Sequence, residues 1–194
     1  MSTHEKNNKA LTGRMKNISK MLGKYYTVKL GITANSNKPV SDNMDLAGIG
    51  AVQEYGATIK ITKKMAAYLH FRAKELGLPA KTSGQSGDGY VHIPARSWLY
   101  EPIKSPEFRK LIYDWVGDEE IFKEYADKDV MRELAEIIGN AGLWKIQEAF
   151  NNGGINGEWA ANSPFTIASK GSSKPLIDNG DFRKQISFEV EENA

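Results

Sequence analysis

A chain of 194 residues with 40% apolar content and a net charge of +2 can bury roughly 70% of its unfolded surface, which one domain, or one domain with an appendage, accounts for. The absence of cysteine excludes disulfide staples, thiolate catalysis and cysteine-ligated zinc, and fits a reducing cytoplasm. Met1 to Lys9 is polar, without the apolar core of a signal peptide, and no run approaches the ~18 apolar residues of a membrane span, so synthesis in the cytoplasm and no membrane contact are expected.

The net charge conceals a segregation along the chain. Residues 1–30 carry seven Lys/Arg against one acid (+6), 31–104 nine against six (+3), 105–150 six against eleven (−5) and 151–194 four against six (−2). A basic front and an acidic back fit nucleic-acid contact, head-to-tail packing of identical subunits, or solvated faces.

Residues 1–9 read as a flexible tail, and a single α+β domain is expected over 10–194. Leu11, Met15, Ile18 and Leu22 recur at helical spacing, predicting a basic amphipathic helix over 10–23 with Lys16, Lys20 and Lys24 on its polar side. Tyr26, Val28, Leu30 and Ile32 alternate with Tyr25, Thr27, Lys29 and Gly31, the pattern of a strand over 25–33. A helix over 44–55 follows, with Asp42 or Asn43 as N-cap and Gly56 as its stop; Gly48 and Gly50 inside it imply close packing against another backbone.

Thr58-Ile59-Lys60-Ile61 predicts a short strand, and Thr62 caps a helix over 63–76 whose apolar stripe is Met65, Leu69, Ala73 and Leu76. The glycine-rich segment 82–89 predicts a loop, and Tyr90 to Ile93 a returning strand, so about 57–92 forms a helical and loop excursion between two strands. Ser105-Pro106-Glu107 is a helix start and Gly117 its stop. A further start at Asp118 or Asp127 leads to the longest periodic segment, where Val130, Leu134, Ile137, Ala141 and Trp144 mark the expected buried stripe, widened by Ile138, Ala149 and Phe150. After Asn151-Asn152-Gly153-Gly154 a loop-rich region runs to the turn Asp178-Asn179-Gly180, and from Ile186 an alternating strand places Ile186, Phe188 and Val190 on one face. Together these elements predict an α+β fold with a mostly antiparallel sheet packed against a long amphipathic helix and shorter helices.

No reactive constellation emerges. His4, His70 and His92 stand far apart, Gly48-Ile49-Gly50 is a fragment of a dinucleotide fingerprint with no leading strand, and Lys170-Gly171-Ser172-Ser173-Lys174 lacks the rest of a phosphate-binding loop. Asp118-Glu119-Glu120 complements a helix dipole without needing a metal. Neither a cofactor nor catalysis is expected. The lysines of the N-terminal segment, together with Lys60, Lys63, Lys64, Arg72 and Lys74, offer sequence-independent phosphate contacts.

Three segments in order resemble the virion-morphogenesis, or tail-completion, proteins of Mu-like and related tailed phages. They are Leu46 to Gly56, ending Glu54-Tyr55-Gly56; Ile93-Pro94-Ala95-Arg96-Ser97-Trp98-Leu99; and Lys174 to Val190, with Asp178-Asn179-Gly180 at its turn. Ser97 and Trp98 stand where that family has Pro-Phe, Asn179 where it has Thr, Phe182 where it has Leu, and Gln185 where it has Ser. The resemblance implies a noncatalytic structural protein of the virion, assembled in the bacterial cytoplasm and acting at the head-to-tail junction or the top of the tail. It also implies a homo-oligomer, such as a hexameric ring, that contacts neck, connector and tail proteins. Glu54, Tyr55, Gly56, Pro94, Arg96, Trp98, Asp178 and Gly180 then form the signature, Lys16, Lys20, Lys24, Lys63 and Lys64 the candidate DNA or subunit contacts. Arg96 is an interface residue or a polar anchor in this view, with a strand-end ion pair as its plainer role, and Arg96→Ala is expected to spare folding while impairing assembly. The alternative function is a nonspecific DNA-binding module, and after it an enzyme acting through scattered residues.

Overall fold

The computed structural model describes residues 25–79, 89–116, 130–178 and 180–193. The N-terminal tail and basic helix with Lys16, Lys20 and Lys24, most of the glycine-rich loop, the helix start at Asp118 or Asp127, and Asn179 lie outside the described residues. In chain order the elements are β1 (Tyr25–Gly31), β2 (Pro39–Ser41), β3 (Met44–Asp45), α1 (Leu46–Tyr55), β4 (Ala57–Lys60), α2 (Lys63–Glu75), β5 (Tyr90–Ile93) and α3 (Tyr100–Lys104). They continue with α4 (Pro106–Val116), α5 (Val130–Asn152), α6 (Pro164–Lys170), α7 (Asp181–Lys184) and β6 (Ser187–Asn193).

The fold is α+β, and every strand pairing among the described residues is antiparallel. The strands form three separate two-stranded ribbons, β1 with β6, β2 with β3 and β4 with β5, rather than one continuous sheet. The first ribbon closes the two ends of the described chain on each other, in a register running from Tyr25 opposite Asn193 to Gly31 opposite Ser187. Its inward residues Val28 and Leu30 alternate with exposed Thr27 and Lys29, as the sequence pattern requires.

The ribbon β1/β6 packs on α5 through small residues. A Cβ on Gly139 would overlap the Phe188 ring, and one on Gly142 would stand 2.5 Å from Leu30 Cδ2. Ala135, Gly139, Ala141, Gly142, Ile146, Ala149 and Phe150 are buried, together with Lys145, which pairs with Glu148 at 2.6 Å. The expected stripe is therefore displaced: Ala141 is buried, but Trp144 is 50% exposed and Val130, Leu134 and Ile137 are only half-buried. The reason is that the sheet approaches where α5 lacks side-chain bulk, and large ribbon side chains fill the space.

The main core gathers Trp98, Ile146, Ala149, Phe150, Trp159 and Ile186. Its rings meet edge to face: Trp98 and Phe182 with centroids 5.0 Å apart, Phe150 and Trp159 at 5.4 Å. Elements of the second half of the chain enter it, including α7 and the turn before it.

Local signals place most boundaries. Thr62 Oγ1 accepts from Met65 N at 3.2 Å to start α2, and Ser105 Oγ accepts from Phe108 N at 3.1 Å to start α4. The start of α1 differs from expectation: Asp42 and Asn43 form the β2–β3 turn, and Asp45 is the cap, accepting from Gly48 N at 2.7 Å. Asn37 fixes that cap by donating to Asp45 Oδ2 and accepting from Ala47 N. Three helices, α3, α6 and α7, stand where sequence periodicity predicted none; at five, seven and four residues they are too short to display one.

Candidate functional site

The segments 46–56, 93–99 and 174–190 converge on one knot of hydrogen bonds and aromatic rings. Its first component is Glu54, near the end of α1 and 8% exposed. One carboxylate oxygen accepts from Trp98 N at 2.8 Å and Leu99 N at 2.9 Å; the other accepts from Ser97 Oγ at 2.5 Å and Tyr100 N at 3.1 Å. Glu54 thus caps α3 from a different helix, satisfying donors that a short helix leaves open at its start. Its lone pairs are committed to these donors, so it is not placed to act as a general base.

Arg96, 6% exposed, is the second component. Its Nε donates to the Ala160 carbonyl at 2.7 Å, one terminal nitrogen to the Ala161 carbonyl at 3.2 Å and the other to Gln53 Oε1 at 3.3 Å. Its own N–H donates to the Gln53 carbonyl at 2.7 Å. Among the described residues its partners are neutral oxygens, not the carboxylate of a strand-end ion pair. Burial pulls its pKa below the ordinary guanidinium value. The guanidinium ties the loop after α5 to the end of α1, the work of a polar anchor.

Trp98 closes the knot. Its Nε1 donates to the Gly50 carbonyl at 2.9 Å, and a Cβ on Gly50 would stand 3.0 Å from Trp98 Cζ2 and 3.3 Å from Phe182 Cζ. The two glycines of α1 are closely packed, but against side chains rather than the backbone expected: Gly50 seats the Trp98 and Phe182 rings, and Gly48 lies beside the Met44 sulfur. Gly56, at φ +73°, turns the chain where a Cβ would meet the Ile93 carbonyl oxygen at 2.8 Å. Gly180, at φ +83°, starts α7 and delivers Phe182 to Trp98.

The remaining signature residues lie outside the knot's interior. Tyr55 is 79% exposed and Pro94 and Asp178 are exposed, as are Lys63 and Lys64 of the candidate DNA or subunit contacts. Leu99 is partly buried against the core while Tyr100 is exposed. Beside the knot runs an open, largely apolar groove of about 940 Å³, lined among others by Leu69 and Ile93 and by Ile49, Phe165, Leu176 and Phe182. Lys170 also lines it, donating to the carbonyls of Lys174 and Ile177. Burial draws the Lys170 ammonium below its usual pKa; Asp178 opposes this shift and Arg96 adds to it.

Ala160, Ala161 and Gln53 were not singled out in the sequence. They act through backbone carbonyls or a single amide, which leave no compositional trace. Among the described residues no three His, Cys, Asp or Glu side chains gather to hold a metal ion. His92 is occupied with Thr58 Oγ1 at 3.0 Å, and His70 is exposed on α2. Compared with known proteins, the chain matches no family model, no curated protein and no solved structure.

Proposed function

We propose that this chain is a noncatalytic assembly protein of a tailed phage, acting in tail completion or head-to-tail joining as a homo-oligomeric ring that meets connector and tail proteins. The observation that carries the proposal is the spatial convergence of the three segments that resemble that family. They are separated by 36 to 74 residues of other sequence, and chance likeness of short peptides gives no reason for them to touch. Here Glu54 of the first grips residues 97–99 of the second and Tyr100 just after it, while the Trp98 ring meets both Gly50 of the first and the edge of Phe182 of the third. A family signature that encodes one structural unit has this property. The chemistry of the knot suits a structural role, since the buried charges of Glu54 and Arg96 are spent on internal hydrogen bonds.

The test is deletion of the reading frame from the phage or prophage that carries it, with the lysate examined by electron microscopy. Complete heads accumulating apart from tails, and rescue by a plasmid copy, are expected. A deletion strain that yields normal infectious particles refutes the assignment.

A further inference from the structure

α2 has two opposite faces, and its outer one is unusual. Met65, Leu69 and Ala73 point inward, with Leu69 and Ala73 buried. The opposite stripe, Lys64, Ala67, Tyr68, Phe71 and Glu75, is exposed along its whole length, and Lys63 and Lys74 flank it. Tyr68 is 64% and Phe71 67% exposed, one helical turn apart, at positions where a surface helix ordinarily places polar groups.

Charge is concentrated on the same unit. The described part of the excursion, residues 57–79 and 89–92, carries Lys60, Lys63, Lys64, Arg72 and Lys74 against Glu75 alone, five cations to one acid (+4). The rest of the chain therefore sums to −2. Glu75 is held by Arg72 at 2.8 Å, so the one carboxylate does not offset the lysines beside the aromatic pair.

We propose that the outer face of α2 binds single-stranded nucleic acid without sequence preference. Lys63, Lys64 and Lys74 contact phosphates, and Tyr68 and Phe71 stack on unpaired bases. The aromatic pair selects this ligand: every unpaired base offers a π-face, whereas a duplex offers the lysines its phosphates but hides its base faces. An acidic protein surface would satisfy the cations as well, and the test separates the two. The proposal stands independently of the virion assignment, because it is read from binding by the purified chain.

The experiment is fluorescence anisotropy of the full-length protein with a labelled oligo(dT) of about 20 nucleotides and with a duplex of equal length. Binding of oligo(dT) tighter than duplex is expected, in the roughly 1–100 µM range of sequence-independent contacts. With about three phosphate contacts, affinity falls roughly 20-fold between 50 and 200 mM salt. Lys63→Glu with Lys64→Glu abolishes binding to both ligands. Tyr68→Ala with Phe71→Ala lowers oligo(dT) affinity by roughly 30-fold or more and leaves duplex affinity unchanged. All four side chains are exposed, so native circular dichroism is expected of each variant, and the milder Lys64→Gln and Tyr68→Ala give the same ordering if a double variant misfolds. Absence of saturable oligo(dT) binding at 50 mM salt, or affinity unchanged by the lysine substitutions, overturns the proposal. So does an aromatic variant that changes the oligomeric mass while retaining oligo(dT) affinity, which marks the face as a protein-docking surface.

Discussion

Arg96 and Glu54 are both buried and charged, and each is satisfied almost wholly by neutral groups. Truncating either side chain leaves the partners behind in a dry site, where an unmet donor or acceptor costs about 1–3 kcal/mol. Arg96→Ala strands two carbonyls and the Gln53 amide, so a loss of roughly 3 kcal/mol in urea denaturation is expected, with Arg96→Lys intermediate because lysine lacks the planar fork. This reverses the sequence-based expectation that folding survives Arg96→Ala. A wild-type unfolding midpoint in that variant, combined with failed assembly, would return Arg96 to an interface role. Glu54→Gln keeps one acceptor oxygen but presents an amide N–H toward backbone donors, and about 2 kcal/mol is expected from it.

Acid sensitivity also belongs to single residues. Asp45 is held below its ordinary value of 3.8 by the Asn37 amide and the Gly48 N–H. For Glu158, burial raises the pKa, but the N–H groups of Asn156, Glu158 and Ile155 outweigh it and hold the carboxyl below 4.5. A carboxyl whose folded pKa is depressed contributes stability that is present above its unfolded pKa and lost as pH falls through the folded one. The melting temperature should therefore fall as pH drops below about 4.5, and the fall should continue below about 3.8. Asparagine caps a helix about as well as aspartate but does not titrate. Asp45→Asn keeps an acceptor for the Gly48 N–H but loses the charge and turns an amide N–H toward the Asn37 donor, so it is expected to melt below wild type at pH 7 and to show a shallower acid limb; an unchanged limb would remove Asp45 from the account.

At the scale of elements, the α5 face decides between two descriptions of the core. By hydrophobic spacing, Trp144 belongs to the buried stripe; by the fold, Gly139 and Gly142 do. Gly139→Ala gains up to about 1 kcal/mol of helix propensity, yet its methyl group must displace the Phe188 ring, and overpacking costs typically 1–3 kcal/mol. A net loss of roughly 1–2 kcal/mol in chemical denaturation is expected, while Trp144→Ala, at an exposed position, should stay within about 0.5 kcal/mol. The opposite ranking would mean that β1/β6 does not sit on α5 as described. The case also shows what sequence makes legible. Strand alternation in β1 and β6 and the hydroxyl caps Thr62 and Ser105 are local signals, and they locate their elements well. A helix face built from glycine and alanine carries almost no hydropathy signal, so the stripe was assigned to the larger side chains beside it. The groups that bind Arg96 were illegible for a related reason, since two of its three side-chain contacts are main-chain carbonyls about 65 residues away.

For the whole molecule, the three signature segments were legible in order but not in their meeting, which depends on contacts across 43 to 84 residues such as Glu54 with Ser97, Gly50 with Trp98 and Trp98 with Phe182. The knot they form uses its own polar groups internally, so the proposed ring would make its contacts between copies elsewhere. The sequence distributes charge in a way that favours unlike surfaces meeting: 31–104 carries +3 and 105–150 carries −5. Contacts between different faces of identical subunits close into rings when the rotation permits, and attraction between exposed charges weakens as the screening length falls from about 10 Å at 0.1 M salt to about 3 Å at 1 M. Light scattering of the purified chain is therefore expected to give a mass several times the 21.6 kDa monomer at low salt and a smaller mass at 1 M. A mass that is multimeric and independent of salt would place an apolar surface at the contact. A monomer at every salt, still monomeric after incubation with purified tails lacking this protein, would remove the ring and leave the nucleic-acid face of α2 as the surface to pursue.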